Sequence, residues 1–144
     1  MPNPTILAID PGGTTGIALT RGATALVKAE TPGRDYAYDA IEALIHDADV
    51  VVCESYIITP ATIKKSRQYD ALYIIGATEY MARKSSTPFL LQPPSAKQFA
   101  SDGKLRMLGW WYAGSDHVRD ALRHALVYSV KEGHIPMESV VHDG

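Results

Sequence analysis

Thr5-Ile-Leu-Ala-Ile-Asp10-Pro-Gly-Gly13 is the stretch on which the fold turns. Thr5 to Ile9 is β-branched and aliphatic, which predicts a buried strand closed by Pro11 and the two glycines. An ionised carboxylate at the end of such a strand is costly unless a cation or a donor network meets it. Asp10 therefore marks a candidate metal-binding or catalytic position. The competing role is a cap for the turn that follows, since Asp often accepts from backbone amides downstream.

Working outward, residues 15–20 and 24–30 predict two further strands, separated by turn signals at Pro11-Gly12-Gly13 and Arg21-Gly22. Connections this tight predict an antiparallel meander. Asp35 to His46 places Ala37, Ala40, Ile41, Leu44 and Ile45 on one helical face. Asp49 to Glu54 is a continuous apolar run ending in an acid, as expected of a buried parallel strand. A long helix is predicted from Pro60 to Lys84, with Pro60 suited to an early helical position. Pro88 to Gln92 predicts a fifth strand, ended by Pro93-Pro94. A brief helix near Ser95 to Ala100, an irregular stretch around Trp110, and a helix from Asp116 to Lys131 stopped by Gly133 complete the chain. The order implies an α/β domain over 1–144: a mixed five-stranded sheet, three strands in a meander and the rest parallel, flanked by helices. Sites in such sheets gather at the carboxyl ends of neighbouring strands.

Composition is that of an ordinary globular protein, with 46% hydrophobic and 21% charged residues among 144. No apolar run reaches the length of a membrane span, and Met1-Pro-Asn-Pro4 does not begin a secretory signal. Lone Cys53, in a Val-Val-Val-Cys run, is expected to be a buried structural thiol. These features suit a reducing cytoplasm. Charge is unevenly spread. Residues 1–54 hold three Lys/Arg against eight Asp/Glu, residues 55–115 eight against three, and residues 116–144 three against five. Carboxylates gathered at a metal site, with a separate basic surface for phosphate, would produce this pattern; so would a solvated mixed surface.

The final helix offers partners for Asp10 and Glu54. At about 100° per residue, His117, Asp120 and His124 share one stripe. Val118, Ala121, Leu122, Ala125 and Leu126 form the opposing apolar stripe. If the first and fourth strands are neighbours, Asp10, Glu54, His117 and Asp120 converge. Hard oxygen ligands favour Mg²⁺ or Mn²⁺, and one imidazole tilts the set toward Mn²⁺. Taken singly, His117 could be an exposed helix-start residue and Asp120 a surface acid paired with Arg119 or Arg123. Asp116 is expected to cap the helix, and His124 to be structural or to support a ligand.

These residues carry a resemblance. Ile-Asp10-Pro-Gly, Val-Val-Cys-Glu54 and His117-x-x-Asp120-Ala-Leu resemble the RuvC family of Holliday-junction resolvases, within the RNase H-like superfamily. Pro94-Ser-Ala-Lys97-Gln with Gly103-Lys104 is similar to the family's basic segment before its final helix. The resemblance spans nearly the whole chain and suggests a compact, phage-type member, which would act in a host cytoplasm. One departure is that Lys104 to Ser115 is shorter than in the family, as though part of a helix were missing.

What the resemblance implies is a Mg²⁺- or Mn²⁺-dependent endonuclease, two ions per site, that cuts four-way DNA junctions as a homodimer. Asp10 would bridge both ions, Glu54 would hold one, and His117 and Asp120 would hold the other or position the water. Lys104 or Lys97 would neutralise charge developing on the phosphate. Tyr56 lies near where the family places an aromatic that stacks on unpaired bases; packing beneath its loop is the alternative. Lys64, Lys65 and Arg67 at one end of the long helix, with Arg83 and Lys84 at the other, are candidates for phosphate contact or for a solvated face. Ala71, Gly76 and Ala77 would let a second helix approach. Trp110 and Trp111 are expected to anchor the irregular segment.

Other classes compete. An RNase H-like nuclease acting on flaps, forks or structured RNA would use the same four residues. Asp10-Pro-Gly-Gly-Thr-Thr15 also resembles the Asp-x-Gly-x-Thr loop of actin-like ATPases and sugar kinases, but that group needs two such domains. A non-catalytic junction-binding protein is the third option, and retention of Asp10, Glu54 and Asp120 speaks against it.

Overall fold

The first strand, buried along its whole length with side chains alternating between two cores, organises the molecule. The computed structural model describes residues 2–61 and 69–141. Five strands, β1 (Thr5–Asp10), β2 (Thr14–Arg21), β3 (Thr24–Pro32), β4 (Val50–Glu54) and β5 (Phe89–Gln92), form one sheet in the order β3-β2-β1-β4-β5. β1, β2 and β3 pair antiparallel, whereas β4 lies parallel to β1 and β5 parallel to β4. The meander and the parallel pair are both as the turn spacing and apolar runs predict. At the β2–β3 turn Gly22 has φ +54, a left-handed conformation that glycine adopts without a Cβ penalty.

The helices are α1 (Gly33–Ile45), α2 (Tyr69–Lys84), a short α3 (Asp102–Met107) and α4 (Asp116–Lys131), with a 3-10 turn at Pro94–Phe99. Side chains alternate across the sheet, so each face has its own core. Ile6, Ala8, Ala18, Val50 and Val52 pack with Val118, Ala121, Leu122, Ala125 and Leu126 of α4. Leu7, Ile9, Ile17, Val51 and Cys53 pack on the other face with α1 and α2. Cys53 is fully buried, and burial pushes its thiol pKa up, as befits a structural residue.

Two details differ from expectation, at the short α3 and at Ala71. Ser101 caps α3 by accepting from the Lys104 amide, so part of the stretch expected to be irregular is helical. Trp110 anchors that stretch as expected, donating from its indole to the Ala23 carbonyl at 2.8 Å. Within the long predicted helix, Pro60, Ala61 and Tyr69–Lys84 are helical as expected, and Lys64, Lys65 and Arg67 lie outside the described residues. Ala71 faces the protein's own core, leaving Gly76 with open space beside it. Among the described residues no helix is long and apolar enough to cross a membrane.

Candidate active site

Parity and register bring three polar strand ends together. Asp10 continues the Ile6–Ala8 side of β1, and Glu54 continues the Val50–Val52 side of β4, so both face α4. The parallel β1–β4 register runs to Ile9 opposite Cys53, which puts the two acids one step further on, side by side. On β5 the residue opposite Glu54 is Gln92. The mouth of the parallel edge thus presents Asp10, Glu54 and Gln92 in a row.

The final helix supplies the rest. Ser115, not Asp116, is its cap: the Ser115 hydroxyl accepts from the amides of His117 and Val118 at 3.1 and 3.3 Å. Asp116 instead pairs with Arg119 on the helix surface. The first turn of α4 lies directly on β2 at Gly16, where any Cβ would collide with the backbone of His117 and Val118. That close approach carries the His117 ring to Asp10, with Nδ1 3.2 Å from Oδ2. Asp120, one turn on, is held by Lys97 and by Arg123, each at 3.3 Å. Arg123 also donates to the Ala100 carbonyl at 2.6 Å and pairs with Asp102 at 2.5 Å, which fixes the Asp120 edge to the loop before α3.

Two cationic or imidazole groups meet Glu54. The Lys97 ammonium lies 2.7 Å from Glu54 Oε1, and His124 Nε2 lies 3.2 Å from the same oxygen. His124 is fully buried and its Nδ1 faces Gln92 Oε1 at 2.6 Å. It buttresses Glu54, a position open to either of the two roles expected for it, structural or in support of a ligand. Gln92 is a partner beyond the residues predicted from sequence, although its place at the end of a strand, like Asp10 and Glu54, was the available signal.

The strand acids divide their charge unequally. Burial, a hydrogen bond with Glu54, and the charges of Glu54 and Asp120 push the Asp10 carboxyl up to about 9. Burial also works against ionised Glu54, but hydrogen bonds with His124, Asp10 and Lys97 bring it down to about 2. The two carboxyls are thus driven in opposite directions and titrate as a pair. Lys97 loses by burial and gains more from Glu54 and Asp120, so its pKa stands above the usual value.

Asp10, Glu54, His117 and Asp120 line one cleft of about 770 Å³, with Tyr56 and the Gly12-Gly13 turn on its walls. Three carboxylates and one imidazole are a donor set that fits a hard divalent cation. The crowding of buried negative charge around Asp10 is what such a cation would relieve. Among the described residues no three acidic, His or Cys side chains are yet gathered into a ligand cluster. The cation between Glu54 and Asp120 is the Lys97 ammonium. Lys104 lies apart from this group, its amine 4.8 Å above the Phe99 ring. Trp111 is flanked by Arg106 and Arg119 at 3.8 and 4.7 Å.

No protein-family model matches the chain, and no curated protein does. Solved structures do. RuvC of T. thermophilus in complex with a Holliday junction substrate superposes with a TM-score of 0.71 and 17% identity, over 90% of this chain and 97% of that one. A second Thermus thermophilus RuvC structure gives a TM-score of 0.69 with the same identity and coverage. Similarity at that identity establishes architecture. The chain therefore has the RNase H-like fold of RuvC, with its candidate acids at the mouth of the parallel strands.

Proposed function

We propose that this chain is a metal-dependent endonuclease that resolves four-way DNA junctions by phosphodiester hydrolysis. The observation that carries this is the convergence of Asp10, Glu54, His117 and Asp120 on one cleft of a RuvC-type fold. The similar RuvC is itself in complex with a Holliday junction substrate. Mg²⁺ or Mn²⁺, two per site, would supply the charge that activates a water and stabilises the leaving oxygen. Asp10 and Glu54 would hold that charge from the strands, and His117 and Asp120 from the helix. Because the Asp10 carboxyl is pushed upward and must be ionised to hold a metal, metal affinity should rise with pH.

Of the two lysines offered as partners for the phosphate, Lys97 is the better placed, because it already meets the acids. Tyr56, half-buried on the cleft wall, offers a ring for an unpaired base, a stack contributing about 1–3 kcal/mol. Lys64 and Lys65 remain candidates for the DNA backbone. Homodimerisation is supported by the outer face of α2, where Tyr69, Leu72, Tyr73 and Tyr80 stand exposed at helical spacing around Gly76. A two-fold dimer through it would offer two clefts to a two-fold substrate. Sedimentation at micromolar concentration should give twice the chain mass, and a monomer would sink the dimer.

The deciding experiment is incubation with labelled four-way, flap and fork DNA and structured RNA, in Mg²⁺ and in Mn²⁺. Paired cuts in the four-way junction, with little cleavage of the others, are expected. Preference for flaps, forks or RNA would keep the chemistry and change the substrate. Tight junction binding without cleavage in either metal would overturn the nuclease.

A further inference from the structure

The acids at this cleft already have a cation, and it belongs to the chain. Pro93-Pro94 ends β5 and starts the 3-10 turn that carries Lys97 over the sheet edge. From there its ammonium reaches two elements at once, Glu54 Oε1 on β4 at 2.7 Å and Asp120 Oδ2 on α4 at 3.3 Å. These are the oxygens that a hard divalent cation joining strand and helix would need. A divalent ion and an ammonium cannot share them, because like charges that close repel strongly in a partly desolvated site. Lys97 also has somewhere to go. Its side chain is 23% exposed, its four-carbon stem is flexible, and Pro94 of the same turn lines the cleft.

We infer that Lys97 is a tethered counter-cation, which holds Glu54 and Asp120 together in the metal-free protein and is displaced from them when a divalent ion binds. The inference rests on the metal-site assignment above and adds a competition to it. Lys97 would stabilise the empty cleft and weaken the apparent affinity for metal by the population of the paired state. By the same linkage, metal binding would release its ammonium into the cleft that the phosphate enters. Lys104, stacked over Phe99, has no equivalent position.

Mn²⁺ titration of the full chain by calorimetry, with free Mn²⁺ counted by electron paramagnetic resonance, tests this on wild type, Lys97→Met and Lys97→Arg. Lys97→Met should bind Mn²⁺ about 10-fold tighter or more, as expected when a competing state is removed. It should also melt lower than wild type in EDTA. Lys97→Arg, which keeps the charge, should stay near wild type in affinity. Equal or weaker Mn²⁺ binding by Lys97→Met overturns the competition while leaving the metal site standing. No Mn²⁺ binding by any of the three proteins overturns the metal site and the competition together. Should Lys97→Met fail to fold, the wild-type protein still decides the matter. The ¹³Cε resonance of Lys97 should move on adding Mg²⁺, and an unmoved resonance overturns the exchange.

Discussion

The strand half and the helix half of the cleft are built on opposite terms. Asp10 and Glu54 sit on adjacent central strands with side chains 8% and 13% exposed, and their geometry is set by a backbone ladder. His117 and Asp120 sit on α4 at 47% and 28%, and their geometry depends on where one helix end lands. The strand pair is electrostatically strained, with burial forcing Asp10 up and hydrogen bonds with His124, Asp10 and Lys97 holding Glu54 down. The helix pair keeps contact with water and is bound to the strands through a single imidazole contact and a single lysine. A site of this kind has a rigid charge centre and an adjustable rim. The two halves should therefore fail in different ways.

The largest effect belongs to the strand half. Asp10→Asn should reduce junction cleavage to background while leaving junction affinity near wild type, since it removes a proposed ligand charge without adding repulsion toward DNA. Cleavage within a few-fold of wild type in Mg²⁺ or Mn²⁺ would break the assignment of Asp10. The helix half can be broken without touching a candidate ligand. Gly16→Ala places a Cβ against the His117 backbone, so the first turn of α4 must lift from β2. A displacement on the order of 1 Å costs about 10²-fold in rate. Cleavage should fall by about that factor, with a lowered melting temperature. Unchanged activity would mean that the helix end is not a positioning element.

His124→Leu tests whether the buried buttress matters to the strand half. It removes the hydrogen bond to Glu54 and leaves Gln92 without its partner, in roughly the same volume. Loss of a residue that orients a ligand costs about 10–100-fold in metal affinity or activity. A drop of that order in Mn²⁺ affinity is expected, with restoration toward wild type by His124→Gln. A fold-stability loss with normal affinity would make His124 structural only.

Much of this was legible in the sequence because the strand signals were local. An apolar run that ends in an acid, twice, needs only a parity rule to put both acids on one face. The apolar stripe of α4 likewise determines which side docks, and with it the stripe carrying His117, Asp120 and His124. What was not legible depended on contacts between distant segments. Lys97 and Lys104 look equivalent in a basic stretch, and only the path of the Pro93-Pro94 turn separates the one over the acids from the one over Phe99. Ser115 and Asp116 are both good capping residues, and the extended backbone of Ser115 decides between them. Nothing local marks Gly16, because its meaning is a helix packed across the sheet. The short α3 was hidden by its Gly103, a poor helix former inside a six-residue segment.

The smallest effect, and the one that separates the halves most sharply, is on the stability of the metal-free protein. Four clustered side chains suggest plain repulsion, in which neutralising any acid should help. Lys97, His124 and Arg123 change that. Asp10 rises from an ordinary 3.8 to about 9, so its contribution to stability is complete below its unfolded value and is lost as pH climbs toward 9. Glu54 falls from 4.5 to about 2, so its contribution is present above 4.5 and lost as pH drops toward 2. In EDTA the wild type should therefore melt progressively lower from about pH 5 to about pH 9, and Asp10→Asn should flatten that slope and melt higher at the alkaline end. Glu54→Gln should do the reverse at neutral pH, because it strips Lys97 and His124 of their shared acceptor. Asp120→Asn, on the wetter rim, should change the melting temperature least. If all three variants instead gained stability together, the acids would be a simple repulsive cluster, and the division between a rigid charge centre and an adjustable rim would not hold.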